Sequence, residues 1–191
     1  MDSGQHAEKT QPRLARRLLS FVTMVVFVLV FSWALHAFVF QPYKIPSGSM
    51  ETTIMTGDML FSEKISYYLR DPEPGDIVTF ADPELPGRTL IKRVIATGGQ
   101  TVDLVDGKVV VDGMVLDEPY TDGKPSYPLD TSARGVAVSY PYTIPAGSLW
   151  LMGDNRTNSQ DSRYFGAVSK TSVTGRALAV YWPLESIGVL S

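Results

Sequence analysis

The chain has 191 residues, a formal net charge of −3, no cysteine and two histidines, His6 and His36. The missing thiols exclude disulfides, thiolate nucleophiles and thiolate zinc sites. With no imidazole after residue 36, a serine–histidine–aspartate triad and a histidine metal site are excluded from everything beyond it unless a partner donates a residue; no cofactor is expected.

Residues 1–17 are polar, hold four basic and two acidic groups and end in Arg13, Arg16 and Arg17. They read as a cytoplasmic tail. From Leu18 to Phe40 run 23 residues without a formal charge, interrupted only by Ser20, Thr23, Ser32 and His36, long enough for a helix to cross a hydrocarbon layer of about 30 Å. Arginines before the run and none directly after it predict an N-inside anchor, a single span with residues 41–191 on the outer face and membrane lipids beside it. A cleavable secretory leader is the competing reading, since Ser32-Trp33-Ala34 has small residues at a cleavage spacing, but the run continues past them, longer than a leader's apolar core.

Beyond residue 40 stand thirteen basic and eighteen acidic groups with no basic stripe, so nucleic acid is not an expected partner. Twelve of the thirteen prolines lie here, between short apolar runs, and that punctuation predicts an all-β domain of antiparallel strands. Strands are expected over 58–65, 76–80, 89–96, 101–104, 108–111, 136–140, 148–152 and 173–182. Asp106-Gly107 between valines marks a two-residue hairpin turn. Segment 117–135 reads as a surface excursion, and Tyr67, Tyr68 and Leu69 as a small apolar cluster that packs in a turn or touches the membrane interface. The sequence carries no signal of oligomeric state.

Three stretches carry candidate chemistry. In Ile45-Pro46-Ser47-Gly48-Ser49-Met50, Gly48 lets the backbone turn sharply beside Ser49 and expose its hydroxyl; the same residues also suit an ordinary turn. In Thr89-Leu90-Ile91-Lys92-Arg93-Val94, strand alternation sends Lys92 and Arg93 to opposite faces. Burial would lower the Lys92 pKa and leave a neutral amine able to accept a hydroxyl proton, whereas an edge position would make it a guard against aggregation. The third stretch, Met152-Gly153-Asp154-Asn155-Arg156-Thr157-Asn158-Ser159-Gln160-Asp161-Ser162-Arg163, is too polar for core. It fails as a calcium loop, because Arg156 occupies a ligand position and the closing glutamate is missing.

Together these stretches, with Gly75-Asp76-Ile77-Val78, resemble the type I signal peptidases, membrane-anchored serine/lysine proteases that remove signal peptides from exported proteins. The resemblance implies Ser49 as nucleophile and Lys92 as general base. It also implies Ser47 as an oxyanion-hole hydroxyl, Ser159 as the group orienting the lysine, and Asp161 and Arg163 as structural support. It further implies preprotein signal peptides, emerging from the export machinery, bound extended between 43–46 and 89–91 and cut after small residues of the Ala-x-Ala type. Tyr43, Ile45, Met50, Ile54, Leu90 and Ile91 would shape the pockets. Thr52 and Ile95-Ala96-Thr97-Gly98-Gly99 depart from the family's usual turns. Two rival readings are a catalytically silent anchored β-domain acting as a scaffold, and a self-cleaving repressor-type protease. The first has no need of Ser49, Lys92 and Ser159 together; the second has no need of an anchor.

Overall fold

The computed structural model describes residues 13–38, 40–131 and 138–190, and the chain divides into two compact units, 1–39 and 40–191. The first contains helix α1, Arg13–Phe38, which carries no acidic residue in its first turn. Its stretch Ala15–Trp33 is long and apolar enough to cross a membrane, and its large apolar side chains from Leu18 to Trp33 are exposed. A helix apolar on every side has no water-facing face to present. The side chain of His36 lies outside the described residues.

The second unit is built from antiparallel strands. The larger sheet comprises β1 (Phe40–Lys44), β2 (Met59–Glu63), β3 (Ile77–Ala81), β4 (Thr89–Thr97), β9 (Ser148–Met152), β10 (Val168–Ser169), β11 (Val173–Trp182) and β12 (Gly188–Val189). Their order is β1-β2-β11-β3-β4-β9-β10, with β12 on β11. The smaller sheet, β7-β6-β5-β8, uses β5 (Thr101–Val105), β6 (Lys108–Val111), β7 (Met114–Val115) and β8 (Tyr142–Thr143). Asp106 and Gly107 both take positive φ between paired Val105 and Lys108, the conformation such a hairpin turn requires. Two four-residue helices, α2 (Ser66–Leu69) and α3 (Ser162–Phe165), are the α-helices described in this unit.

Most expected strands form, with edges moved by one or two residues. The strand expected over 136–140 does not: residues 136 and 137 lie outside the described residues, 138–140 are not extended in a ladder, and pairing resumes at Tyr142. Pro141 has no N–H to donate, so the strand begins after it. Short β1, β7, β10 and β12 carry no alternating pattern long enough to be read in advance. Tyr67 packs partly buried beside Val78 and Phe80 and donates its hydroxyl to Asp76, while Tyr68 and Leu69 are exposed. Ala177-Leu178-Ala179, a possible cleavage triplet, is held in β11 against β2.

Each sheet face buries its apolar residues in separate clusters. Ile45, Met50, Ile54, Leu60 and Val180 form one; Val78, Phe80, Val94, Leu149 and Leu151 another; and Trp150, Met152 and Ile95 join the small sheet's Val102, Val109 and Val111. Strand β4 takes part in all of this, and its residues Lys92 and Arg93 are the charged exceptions within a buried run.

Candidate active site

Strand alternation along β4 separates the fates of its two charged neighbours. Lys92 is 3% exposed and Arg93 2%. Arg93 goes to a carboxylate: its Nε and Nη2 donate to Asp154 at 2.9 Å each, its Nη1 donates to the Gly75 carbonyl, and its guanidinium lies 4.1 Å from the Tyr120 ring centre. Lys92 has no carboxylate partner among the described residues. Its Nζ donates to Ser49 Oγ at 2.6 Å and to the Ile91 carbonyl at 3.0 Å. Burial pushes the Lys92 pKa down to about 8; the negative fields of Asp161 and Asp154 oppose the shift and Arg88 adds to it. A buried ammonium without a bonded counterion is expensive, so the neutral amine gains.

Ser49 is 8% exposed and sits at the end of a loop tied to the third polar stretch. The backbone N–H of Asn155 donates to the Ser49 carbonyl, and the Asn155 side-chain amide donates to the Gly48 carbonyl at 2.9 Å. The loop 153–163 is itself fixed from within. The Asp161 carboxylate accepts from Gly153 N–H and from two nitrogens of Arg163, both residues being fully buried or nearly so. Arg163 also donates to the Arg156 carbonyl at 2.8 Å. Arg156 reaches the excursion, pairing with Glu118 through two bonds and with Ser126.

Ser159 Oγ is buried and has no hydrogen-bond partner among the described residues. It stands against Gly153, where a β-carbon would overlap both Ser159 Oγ and the Ser49 carbonyl oxygen. Ser47 is exposed and Ser47, Ser49, Lys92 and Ser159 share one cleft of about 590 Å³, whose wall also includes Leu90, Leu129 and Phe165.

The expected pocket residues divide. Leu90 lines the cleft, and Tyr43 and Ile91 are partly buried against the neighbouring core. Ile45, Met50 and Ile54 are core residues, the last two with no exposed surface. They lie outside the cleft wall, because apolar side chains beside Ser49 gain more from packing under Leu60 and Ile77 than from facing water. Gly153, Asn155, Arg93 and Asp154, named from the sequence as parts of its motifs but given no individual role, build the site. The sign available was their density of fixed donors and acceptors beside Ser159. Among the described residues no group of acidic or imidazole side chains is arranged to hold a metal.

Residues 18–182 match the family described as "Signal peptidase, peptidase S26". A probable signal peptidase I of Synechocystis is 38% identical over 88% of this chain and 85% of its own length. The signal peptidase I of Leptolyngbya laminosa is 33% identical over 95% of this chain and 88% of its own. A solved structure of a signal peptidase I from Enterococcus faecalis is 31% identical, covers 56% of this chain and 97% of its own, and superposes with a TM-score of 0.43.

Proposed function

We propose, from the premise that this chain belongs to the signal peptidase family, peptidase S26, that Ser49 and Lys92 form its catalytic dyad. The protein is a membrane-anchored serine endopeptidase that removes signal peptides from exported preproteins. The observation that carries the assignment is the 2.6 Å contact between a buried amine and a buried hydroxyl, within reach for direct proton transfer.

With the amine neutral, Ser49 Oγ gives its proton to Lys92 Nζ as it attacks the scissile carbonyl carbon. The negative charge that develops on the carbonyl oxygen is met by the Ser47 hydroxyl and the Ser49 N–H; one such donor lowers a barrier by roughly 2.7–4 kcal/mol. The Lys92 ammonium then protonates the departing amine, and a water activated by the same amine releases the signal peptide from Ser49. Ser159 Oγ, buried beside the dyad and without a hydrogen-bond partner among the described residues, is the group available to hold the amine when Ser49 turns to substrate. Asp161 and Arg163 keep loop 153–163 in shape. A silent scaffold has no use for an uncompensated buried lysine, which costs stability and offers it nothing.

The substrate reading follows from the same premise. The preprotein lies extended between Tyr43–Pro46 and Thr89–Ile91, and residues smaller than a branched side chain are selected at the cut. Residues 41–191 work outside the membrane with residues 1–17 in the cytoplasm of a bacterial cell and the anchor in its plasma membrane. The test is cleavage of a purified preprotein by the detergent-solubilised full chain, with sequencing of the product's new N-terminus. Wild type should cut after a small residue, and Ser49→Ala and Lys92→Ala, both still folded, should not. Cutting by either variant would remove its residue from the dyad.

A further inference from the structure

Arg88, Leu90 and Lys92 all line the cleft that holds Ser49. Their spacing is that of one strand face, with alternate side chains about 7 Å apart along β4 and its approach. The mechanism uses Lys92 at one end of this row and leaves Arg88 at the other without a task. Its side chain is 46% exposed, yet the carboxylate that holds it, Asp82, has none of its side chain exposed.

Asp82 organises the connection between β3 and β4. Its Oδ1 accepts from the backbone N–H groups of Glu84 and Leu85, and its own N–H donates to the Arg88 carbonyl at 2.9 Å. Its Oδ2 accepts from Arg88 Nε. One edge of the guanidinium is therefore fixed by a buried anion, while its two terminal nitrogens have no hydrogen-bond partner among the described residues. Glu84 and Asp130, which also line the cleft, have interactions of their own. A planar donor fork of this kind matches a carboxylate better than it matches any other side chain.

The sheet registers give the direction in which a bound chain meets this row. Phe40 pairs with Glu63, Glu63 with Arg176, Arg176 with Val78 and Val78 with Lys92. Four antiparallel steps make β1 and β4 parallel, so lower numbers on β4 lie toward the sheet end where the chain enters at Phe40. A preprotein that enters the cleft from the Thr89 end of β4 passes along this row. It runs parallel to β4 and reaches the dyad after passing Arg88 and Leu90. With the residue before the cut at the level of Lys92, the third residue before it faces Leu90 and the fifth faces Arg88.

We propose that Arg88, oriented by Asp82, forms a subsite for the fifth residue upstream of the scissile bond and favours a carboxylate side chain there over an ammonium. The proposal rests on the dyad and on the extended substrate described above. Its test uses the full chain in detergent and peptides identical except at that fifth position, which carries Glu, Gln or Lys, with the cut bond checked by mass. Wild type should give a kcat/KM for Glu roughly fivefold above Lys, the size expected of a half-exposed ion pair, and the ratio should shrink as salt is raised. Arg88→Gln should bring the ratio to about one and Arg88→Glu should invert it. Arg88→Lys, which keeps the charge on Asp82, should keep the order and guards against an effect of misfolding. Equal cutting of the three peptides by wild type, or an unchanged ratio in Arg88→Gln, overturns the subsite alone. No cutting of any peptide overturns the peptidase reading, which the Gln peptide reports independently of the ratio.

Discussion

At the scale of a residue, Lys92 joins a cost in stability to a gain in chemistry. It can accept the Ser49 proton only as a free amine, and its folded pKa of about 8 sets where that form is populated. The kcat/KM should therefore rise about tenfold per pH unit below 8 and level off above 9; a profile flat from pH 6 to 10 would remove Lys92 as the base. Stability follows the opposite logic from an ordinary ion pair. Between pH 8 and 10.5 the unfolded chain binds the proton that the folded chain has lost, so stability rises with pH across that window. Below it the full penalty stands. The gap between 10.5 and about 8, at about 1.4 kcal/mol per pH unit, amounts to about 3 kcal/mol. Lys92→Met keeps the volume and drops the charge, so it should be inactive yet melt several degrees higher at pH 7. That advantage should disappear near pH 10.5. An unchanged or lower Tm at pH 7 would mean that the charge is not what burial penalises.

At the scale of an element, loop 153–163 is held by buried charge rather than by apolar packing. Asp161 is the hub: it accepts from Gly153 N–H and grips Arg163, which in turn donates to the Arg156 carbonyl. Removing one partner of a buried pair leaves the other uncompensated, a cost of about 3–5 kcal/mol. Asp161→Ala should lose that much in thermal or denaturant unfolding. Because the Asp161 field is the largest of those opposing the burial shift on Lys92, any activity it retains should show its acid limb at lower pH. A stable variant with the wild-type profile would mean that Asp161 neither holds the loop nor acts on Lys92. The same loop explains the small residue at 153: Gly153 lies between Ser159 Oγ and the Ser49 carbonyl oxygen, where no β-carbon fits.

At the scale of the whole molecule, the anchor and the β unit divide the work. On the proposed reading the anchor brings the enzyme to the surface where signal peptides leave the bilayer, and β1 is the first strand to follow it in the chain. The expected topology places the amino terminus inside and residues 41–191 outside. In spheroplasts, protease added from outside should digest residues beyond the anchor and spare a tag fused before Met1. Protection of the β unit with digestion of the tag would reverse the orientation.

What the sequence determined by itself was whatever is written locally or in an order of residue types shared with a known family. The apolar run, the Asp106-Gly107 hairpin and most strands are local, because alternation and turn chemistry need only neighbours. The candidate pair was legible because Ser49, Lys92 and the stretch from Gly153 to Arg163 stand in the order of a known family. The tertiary structure alone decided which atoms meet. Ser49 and Lys92 are 43 residues apart, and their 2.6 Å contact depends on β4 pairing with β3 and β9 and on Asn155 tying down residues 48 and 49. It also decided that Met50 and Ile54 pack into the core while Arg88 faces the cleft. Neither outcome could be read in advance, because burial is settled by competition among residues distant in the chain for the same apolar space.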